Sequence, residues 1–356
     1  MKNSIGESVI LTVFGESHGP AVGVVLDGLA PGIPVDEAYI AEQLAHRRPA
    51  GAADTARVEP DRFQLVSGVY RGRTTGTPLT ILIPNENVRS ADYSAVETVA
   101  RPSHADFTAQ AKYHGFQDPR GGGHFSGRVT AGIVAAGAIC RQALERKGIR
   151  LGTHILRCAG VEDAPFTDVA SEIGRIEGRR FPLILDLEER VEAAILAAKA
   201  EQDSVGGVIQ TGICGLPAGL GEPWFDSLEG VLARATFAVG GVKGIEFGDG
   251  FDAARQTGST HNDAFLGNGK WSGNRSGGIL GGISNGNVIT FRLAVKPTPS
   301  VSLPQQTVDD KGAPVTLTIP GRHDPCIVPR IVPVVEAMAA IVIADCLLQR
   351  TTPASF

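Results

Sequence analysis

The sequence has no pair of cysteines at CxxC spacing, and its five cysteines (Cys140, Cys158, Cys214, Cys326 and Cys346) are odd in number and far apart. Neither a zinc site nor a disulfide framework is expected; free thiols in a reducing cytoplasm are. Basic runs are also lacking. Thirty-three Lys and Arg against 38 Asp and Glu leave a net charge of −5, which argues against nucleic acid as a partner. The most apolar late segment, 331–348, is interrupted by Glu336 and Asp345. It is too short and too charged to cross a bilayer and reads as a buried core helix, so no membrane partner is expected. The first residues carry no basic region ahead of a long apolar core, so they do not read as a signal peptide. No GxGxxG follows the first predicted strand, which argues against a Rossmann dinucleotide site. There is no linker-like change of composition and no tandem repeat, so one α+β domain over 1–356 is the simplest organisation.

Glycine, by contrast, is abundant, at 45 of 356 residues without a triplet period. That is about 13% against an average near 7%, which favours a loop-rich enzyme over a fibrous protein. Patterning places strands at 8–14, 21–29, 63–70, 77–84, 205–214 and 288–295. Helices are expected at 36–47, 187–201 and 226–238. A longer one should run from a Ser126 cap to Lys147, with Val129, Ile133, Ala136, Cys140 and Leu144 as its apolar stripe and Gly148 as its stop. Asn285-Gly286 suits a tight hairpin turn, and the Gly/Asn-rich stretch 267–278 reads as a mobile loop.

Three polar stretches carry the chemistry: GESHG at 15–19, RPSHAD at 101–106 running through His114 into DPRGGGHFSGR at 118–128, and GRHDPC at 321–326. Together they hold His18, His104, His114, His124 and His323, five of the eight histidines. An imidazole near its reference pKa of about 6.5 can hold or release a proton at working pH, so His18 suits a general acid. Arg101, His104 and Asp106 form a local trio in which arginine can bind an anion while histidine handles a proton. Three consecutive glycines ahead of Ser126 present backbone donors to phosphate or carboxylate, and Arg128 can add a bidentate contact. The Lys-Ser/Thr pair of a P-loop is missing, which argues against a nucleoside triphosphatase. KPTPS at 296–300 offers a cation and hydroxyls at a strand end. Taken singly, GESHG and RPSHAD suit a turn or a helix cap as well as they suit catalysis; gathered together, they read as a site for an anionic substrate.

From about residue 4 to about residue 350 the chain resembles the chorismate synthase family. The resemblance rests on GESHG, RRP at 47–49 with EPD at 59–61, RPSHADFTAQAKYHGFQDPRGGG, GGVKGIEFGDGF at 240–251, SGGILGGISNG at 276–286, KPTPS and GRHDPC. It implies one α+β domain, antiparallel sheets sandwiching helices in a β-α-β sandwich. It also implies conversion of 5-enolpyruvylshikimate 3-phosphate to chorismate by 1,4-elimination with reduced FMN, and a cytoplasmic homotetramer. NADPH would be an upstream reductant, acting through a separate flavin reductase or reducing system. Through the matching motifs His18 would protonate the departing phosphate, His104 would assist protonation of the flavin, and Asp324 would sit near flavin N5. Arg47, Arg101, Ser126, Arg128 and Arg322 would bind the substrate, and Arg47 is also where a nicotinamide-cofactor contact would fall. FMN would be held by His124, Phe125, Ser126, Gly240, Gly241, Gly281, Lys296, Pro297, Thr298, Pro299, Ser300 and Arg322. No metal is implied.

The chain departs from the family pattern in three places. HRRPA at 46–50 replaces the common RRRPG, and Ala52-Ala53-Asp54 stands where an arginine is frequent, with Arg57 nearby. HFSGR replaces RSSAR after the glycines, and Val9-Ile10-Leu11 stands where an arginine is often seen. Two other readings compete. A metal-dependent hydrolase could use His18, His104 and Asp324 as ligands, although no HxxEH-like spacing supports it. A non-catalytic binding protein on the same fold would account for the lost arginines but not for the proton-handling set.

Overall fold

The computed structural model describes residues 2–55, 60–86, 99–319 and 323–350. Two five-stranded antiparallel sheets face each other across a layer of helices. The first contains β1 (Ser4–Ile5), β2 (Ile10–Gly15), β3 (Ala21–Asp27), β4 (Gln64–Ser67) and β5 (Leu79–Pro84), in the order β1-β2-β3-β5-β4. The second contains β6 (Arg150–Cys158), β7 (Val161–Glu162), β8 (Gly207–Cys214), β9 (Val242–Phe247) and β10 (Ile289–Val295), in the order β9-β10-β8-β6-β7. Alternation drives the first sheet. In β5 the residues Leu79, Ile81 and Ile83 are buried and those between them are not, the period-2 signature of a sheet with one covered face.

Three helices fill the middle: α1 (Glu37–Arg47), α2 (Thr130–Glu145) and α3 (Val328–Gln349). Asp36 caps α1 by accepting from the amides of Ala38 and Tyr39. α2 and α3 cross closely because small residues meet there: a Cβ on Gly137 would lie 2.4 Å from the Cα of Ala337. α3 is long and apolar enough to cross a membrane by length and composition, but its most apolar window is 83% buried between the sheets. Its two acidic residues are used inside the fold. Glu336 accepts from Arg141 and from the Thr153 amide, and Asp345 accepts from the amides of Glu7, Ser8 and Val9.

The fold is α+β, and most predicted elements appear within two residues of their expected bounds. The helix after Ser126 starts as a short 3-10 turn, Gly127–Val129, before α2 proper, and the chain leaves it at Gly148 with φ +78°. The predicted strand 63–70 is split at Gly68, where φ is +81°. Two turn expectations are corrected. Asn285-Gly286 does not join paired strands; the tight turn is Gly281-Gly282, between Ile279–Leu280 and Ile283–Ser284. The stretch 267–278 contains an ordered hairpin, Phe265–Gly267 with Lys270–Trp271, turned by Asn268 and Gly269 at positive φ. Asn-Gly is the favoured pair for such a turn, and it occurs here as well as at 285–286.

Candidate active site

The triple glycine is the hinge of the site. Gly121, Gly122 and Gly123 all have positive φ, a conformation that side chains resist. Space demands glycine too. A Cβ on Gly121 would lie 2.1 Å from Cε1 of His18, and one on Gly122 would lie 3.6 Å from Cε1 and Nε2 of His104. Residues 86 positions apart in the chain are thus brought to successive glycines of one loop. The loop is fastened to the end of β2: the Ser17 amide donates to the Gly123 carbonyl at 3.0 Å, and His124 Nδ1 donates to the Gly15 carbonyl at 2.8 Å. His18 is buried, and Asp118 lies in its electrostatic neighbourhood. The Asp118 carboxyl is held below its ordinary range chiefly by its hydrogen bond to Arg120.

His104 sits in a second network. Its Nδ1 lies 2.6 Å from Asp106 Oδ1, and Arg101 grips the same carboxylate through Nε at 2.7 Å and Nη2 at 2.8 Å. Burial works against ionisation of Asp106, but the bonds from Arg101 and His104 outweigh it and hold the carboxyl well below the usual range. Arg101 Nη1 reaches Ser300 Oγ at 3.2 Å, and Lys296 Nζ donates to the Ser103 carbonyl at 2.6 Å. The run 296–300 is therefore tied to the His104 loop. Burial and the nearby Lys243 push the Lys296 ammonium down. Gly241 joins the same region, since its carbonyl accepts from the Lys296 amide at 2.9 Å, and Gly240 faces open space.

Arg47 and Arg128 converge on one residue that sequence reasoning did not single out as functional. Asp61, fully buried in its side chain and held at φ +49°, accepts from Arg47 Nη1 at 3.1 Å and from Arg128 Nη1. Arg128 also donates to Asn85 Oδ1 and to the Pro84 carbonyl, while Arg47 donates to Thr130 Oγ1 and the Gly127 carbonyl. Both guanidiniums thus spend donors on fixing the turn after the glycine loop, and they place two positive charges beneath it. Asp61 was visible only as the last residue of EPD; Asn85, which also donates to the Glu16 and Gly19 carbonyls, carried no signal at all. Ser126 Oγ accepts from the Arg128 amide at 3.3 Å, and Phe125, about half exposed, stacks edge-on against Tyr113.

Asp324 pairs with Arg330 at the start of α3 and accepts from the Thr55 amide at 3.3 Å. Arg330 in turn donates to the Arg47 carbonyl at 3.0 Å, which links this loop to the arginine pair. The next residue, Pro325, accepts from the Val205 amide, and Ser204 donates to the Thr298 carbonyl, so the loop also meets the run 296–300. Arg322, expected in both substrate and flavin contacts, and Arg57 lie outside the described residues. Gly281 turns the hairpin that packs on Ser227. No hydrogen bond among the described residues links that hairpin to the glycine loop or to 296–300. A cavity of about 410 Å³ lies elsewhere, between α3, the 5–9 segment and the 219–234 region. Among the described residues no group of three or more His, Cys, Asp and Glu is placed to hold a metal, and Asp324, which the hydrolase reading needs as a ligand, is paired with Arg330.

Several polar atoms here are buried without a partner among the described residues, including Ser17 Oγ and Thr298 Oγ1. An orphaned buried hydroxyl costs roughly 1–3 kcal/mol, and both lie in segments that meet at the glycine loop and the 296–300 run.

A family model described as chorismate synthase matches residues 9–348. A chorismate synthase of Nitratidesulfovibrio vulgaris (strain Hildenborough) is 48% identical over 349 residues, covering 98% of this chain and 97% of that protein. One from Methanosarcina barkeri is 46% identical over 356 residues, covering 98% and 96%. A solved structure described as a crystal structure of chorismate synthase is 28% identical and superposes with a TM-score of 0.75, covering 97% of this chain and 93% of that one.

Proposed function

The chain belongs to the chorismate synthase family, and from that premise we infer that it converts 5-enolpyruvylshikimate 3-phosphate to chorismate and phosphate in the shikimate pathway. The reaction is a 1,4-elimination of phosphate and a ring hydrogen, which makes the chain a carbon–oxygen lyase. One observation carries the reading above the rest: His18 and His104 stand against successive glycines of a single loop, two proton-handling groups around a backbone built to approach a ligand.

The substrate carries two carboxylates and a phosphate, and the site answers with Arg47, Arg101, Arg128 and Lys296 in a chain of net negative charge. Arg101, Ser126 and Arg322 are assigned to direct contact with the substrate. Arg47 and Arg128 bind with them, each guanidinium held in place by Asp61 as Arg101 is by Asp106. His18 gives a proton to the departing phosphate. His104, held by Asp106 through Nδ1, keeps Nε2 for proton exchange with the flavin. Asp324, held by Arg330, would lie near flavin N5 and tune removal of the ring hydrogen.

The residues present fit FMN. The glycine loop brings its backbone against His18 and His104, Gly240 faces open space, Thr298 Oγ1 is a buried hydroxyl in need of a partner, and Lys296 adds a cation. His124, Phe125, Ser126, Gly240, Gly241, Gly281, the run 296–300 and Arg322 are the residues that would hold it. Reduced FMN, when bound, lends electron density to the reacting system and recovers it without net redox change. A separate reductase, drawing on NADPH, would keep it reduced. Residues 1–356 act as one catalytic domain, a reading supported by α3, which touches α1, α2 and the second sheet at once. A homotetramer is supported by large exposed aromatics, Phe116, Trp224, Phe225 and Phe251 among them. Five free thiols support a cytoplasmic setting.

The test is an anaerobic assay with chemically reduced FMN, following chorismate and phosphate together, alongside an absorbance titration with FMN. Both products should appear in equal amounts, and FMN should bind more tightly when substrate is present. No chorismate, or no spectral change at high concentrations of both ligands, refutes the assignment.

A further inference from the structure

We propose that Asp106 is a positioning residue for the reaction, one that fixes the proton of His104 on Nδ1, turns Nε2 toward Gly122, and ties this loop to the run 296–300 through Arg101. The proposal rests on the reading of His104 as a proton-handling group. Its physical content is the choice of tautomer.

Asp106 is the first residue of the helix Asp106–Tyr113, where an acidic side chain ordinarily favours the exposed amides of the first turn. Here it turns back instead. Oδ1 takes His104 Nδ1 and Arg101 Nη2, and Oδ2 takes Arg101 Nε and the Arg101 amide, at 2.6 to 3.1 Å. A carboxylate clasped by a guanidinium fork is ionised and can only accept. His104 Nδ1 must then be the donor, which leaves Nε2 as the lone-pair nitrogen of the neutral ring, beside Gly122. An anion behind the ring also stabilises the imidazolium formed when Nε2 takes a proton, the same logic by which an aspartate supports histidine in hydrolase triads. The groups that bear on His104 are few: Asp106 and Arg101 from its own loop, Gly122 from the glycine loop, and Lys296, which holds the Ser103 carbonyl. Ser103 itself is held at φ +56°, so the loop depends on these ties to keep its shape.

Asp106→Asn makes a sharp prediction because, of the four donors, two at each oxygen, only His104 Nδ1 can turn into an acceptor. Both donors at the Oδ2 position are Arg101 N–H groups, which demand an oxygen, whereas the Oδ1 position has one Arg101 N–H and the convertible His104 ring; the asparagine amide nitrogen therefore takes the Oδ1 position, facing His104, and gives up the bond from Nη2. That nitrogen can only donate, and Nδ1 must become the acceptor. The proton moves to Nε2. Turnover should fall roughly hundredfold or more, the scale of losing an oriented general acid or base, with the Michaelis constant within about threefold of the parent.

The deciding experiment is nitrogen NMR of histidine-labelled full-length protein, without substrate or flavin, the His104 signals identified by their loss in His104→Gln. The expected result is an Nδ1–H tautomer in the parent and an Nε2–H tautomer in Asp106→Asn. An Nε2–H tautomer in the parent overturns the proposal, and that measurement needs no folded Asp106 variant. Kinetics give a second arm: the double variant His104→Ala/Asp106→Asn should be within about tenfold of His104→Ala alone, because Asp106 acts on the proton through the ring and what remains is its tie to Arg101. A further hundredfold loss in the double variant overturns it as well. If His104→Ala alone keeps parental turnover, the catalytic reading of His104 fails, while the tautomer result still decides whether Asp106 positions the ring.

Discussion

Arg128→Ala separates two roles that a sequence would assign to the same residue. A guanidinium that only clamps substrate raises the Michaelis constant when lost and leaves the fold alone. The side chain of Arg128 is 3% exposed and that of Asp61 not at all, so removing the arginine strands part of a buried charge. Breaking a buried pair typically costs about 3–5 kcal/mol. Asp61 keeps its bond to Arg47 at 3.1 Å, which puts the expectation at the low end, about 3 kcal/mol. For a chain of 356 residues, an unfolding entropy of about 2.1 cal/mol/K per residue makes each kcal/mol worth a little over 1 °C. The melting temperature should fall by about 4 °C, measured at fixed protein concentration without ligands, since subunit and ligand binding would shift it. Asp61→Asn should cost at least as much, because two arginines lose their anion. The double variant Arg128→Met/Asp61→Asn should cost less than the two losses added, by about 1 kcal/mol or more, as expected for partners in one network. If Arg128→Ala melts within about 1 °C of the parent while its Michaelis constant rises tenfold or more, the burial argument is wrong and Arg128 is a ground-state clamp.

Other outcomes follow from the same geometry. His18→Ala should slow turnover by about a hundredfold or more in a protein that folds normally; near-parental turnover would remove His18 from the chemistry. Asp324→Asn should lower turnover and catalytic efficiency together with the Michaelis constant little changed, measured anaerobically with excess reduced FMN, and a variant that chiefly weakens substrate binding would move Asp324 to the binding set. Four of the five cysteines are buried; burial pushes the Cys140 and Cys346 thiols up to about 12, and the contact with Cys326, then burial, raises Cys158. A disulfide reagent at pH 8 should therefore label about one thiol per native chain, Cys214, and all five after unfolding, whereas rapid labelling of three or more in the native state would contradict the packing.

Local signals in the sequence translated well where the physics is local. Pro34 and Pro49 bracketed α1, and Gly148 announced the end of α2, because proline and positive φ constrain only neighbours within one turn. The triple glycine was legible as a loop that needs glycine, although its partners were not. The companionship of Gly121 with His18 and of Gly122 with His104 depends on how β2 and the 101–106 loop are placed, which no local pattern encodes. Asn285-Gly286 and Asn268-Gly269 carry equal turn propensity, yet only the second closes paired strands, and tertiary pairing made that choice. Asp61 and Asn85 stayed hidden for a related reason. A buried acceptor matters through the arginines that reach it, here from 14 and 67 residues away.

The placing of α3 has a consequence for how the chain is made. The layer between the sheets is completed by residues 328–349, after every strand of both sheets has been synthesised. Until that segment emerges, Leu151, Ile155, Ile209 and Ile213 of the second sheet lack their helical cover, and the Glu7–Val9 turn lacks the Asp345 carboxylate that seats it. A nascent chain therefore holds two half-dressed sheets with exposed apolar faces, the condition in which long-range β topologies aggregate. Truncation between residues 296 and 327 should yield a chaperone-bound or insoluble product and not a smaller folded one, even though every strand of both sheets and the whole glycine loop would be present.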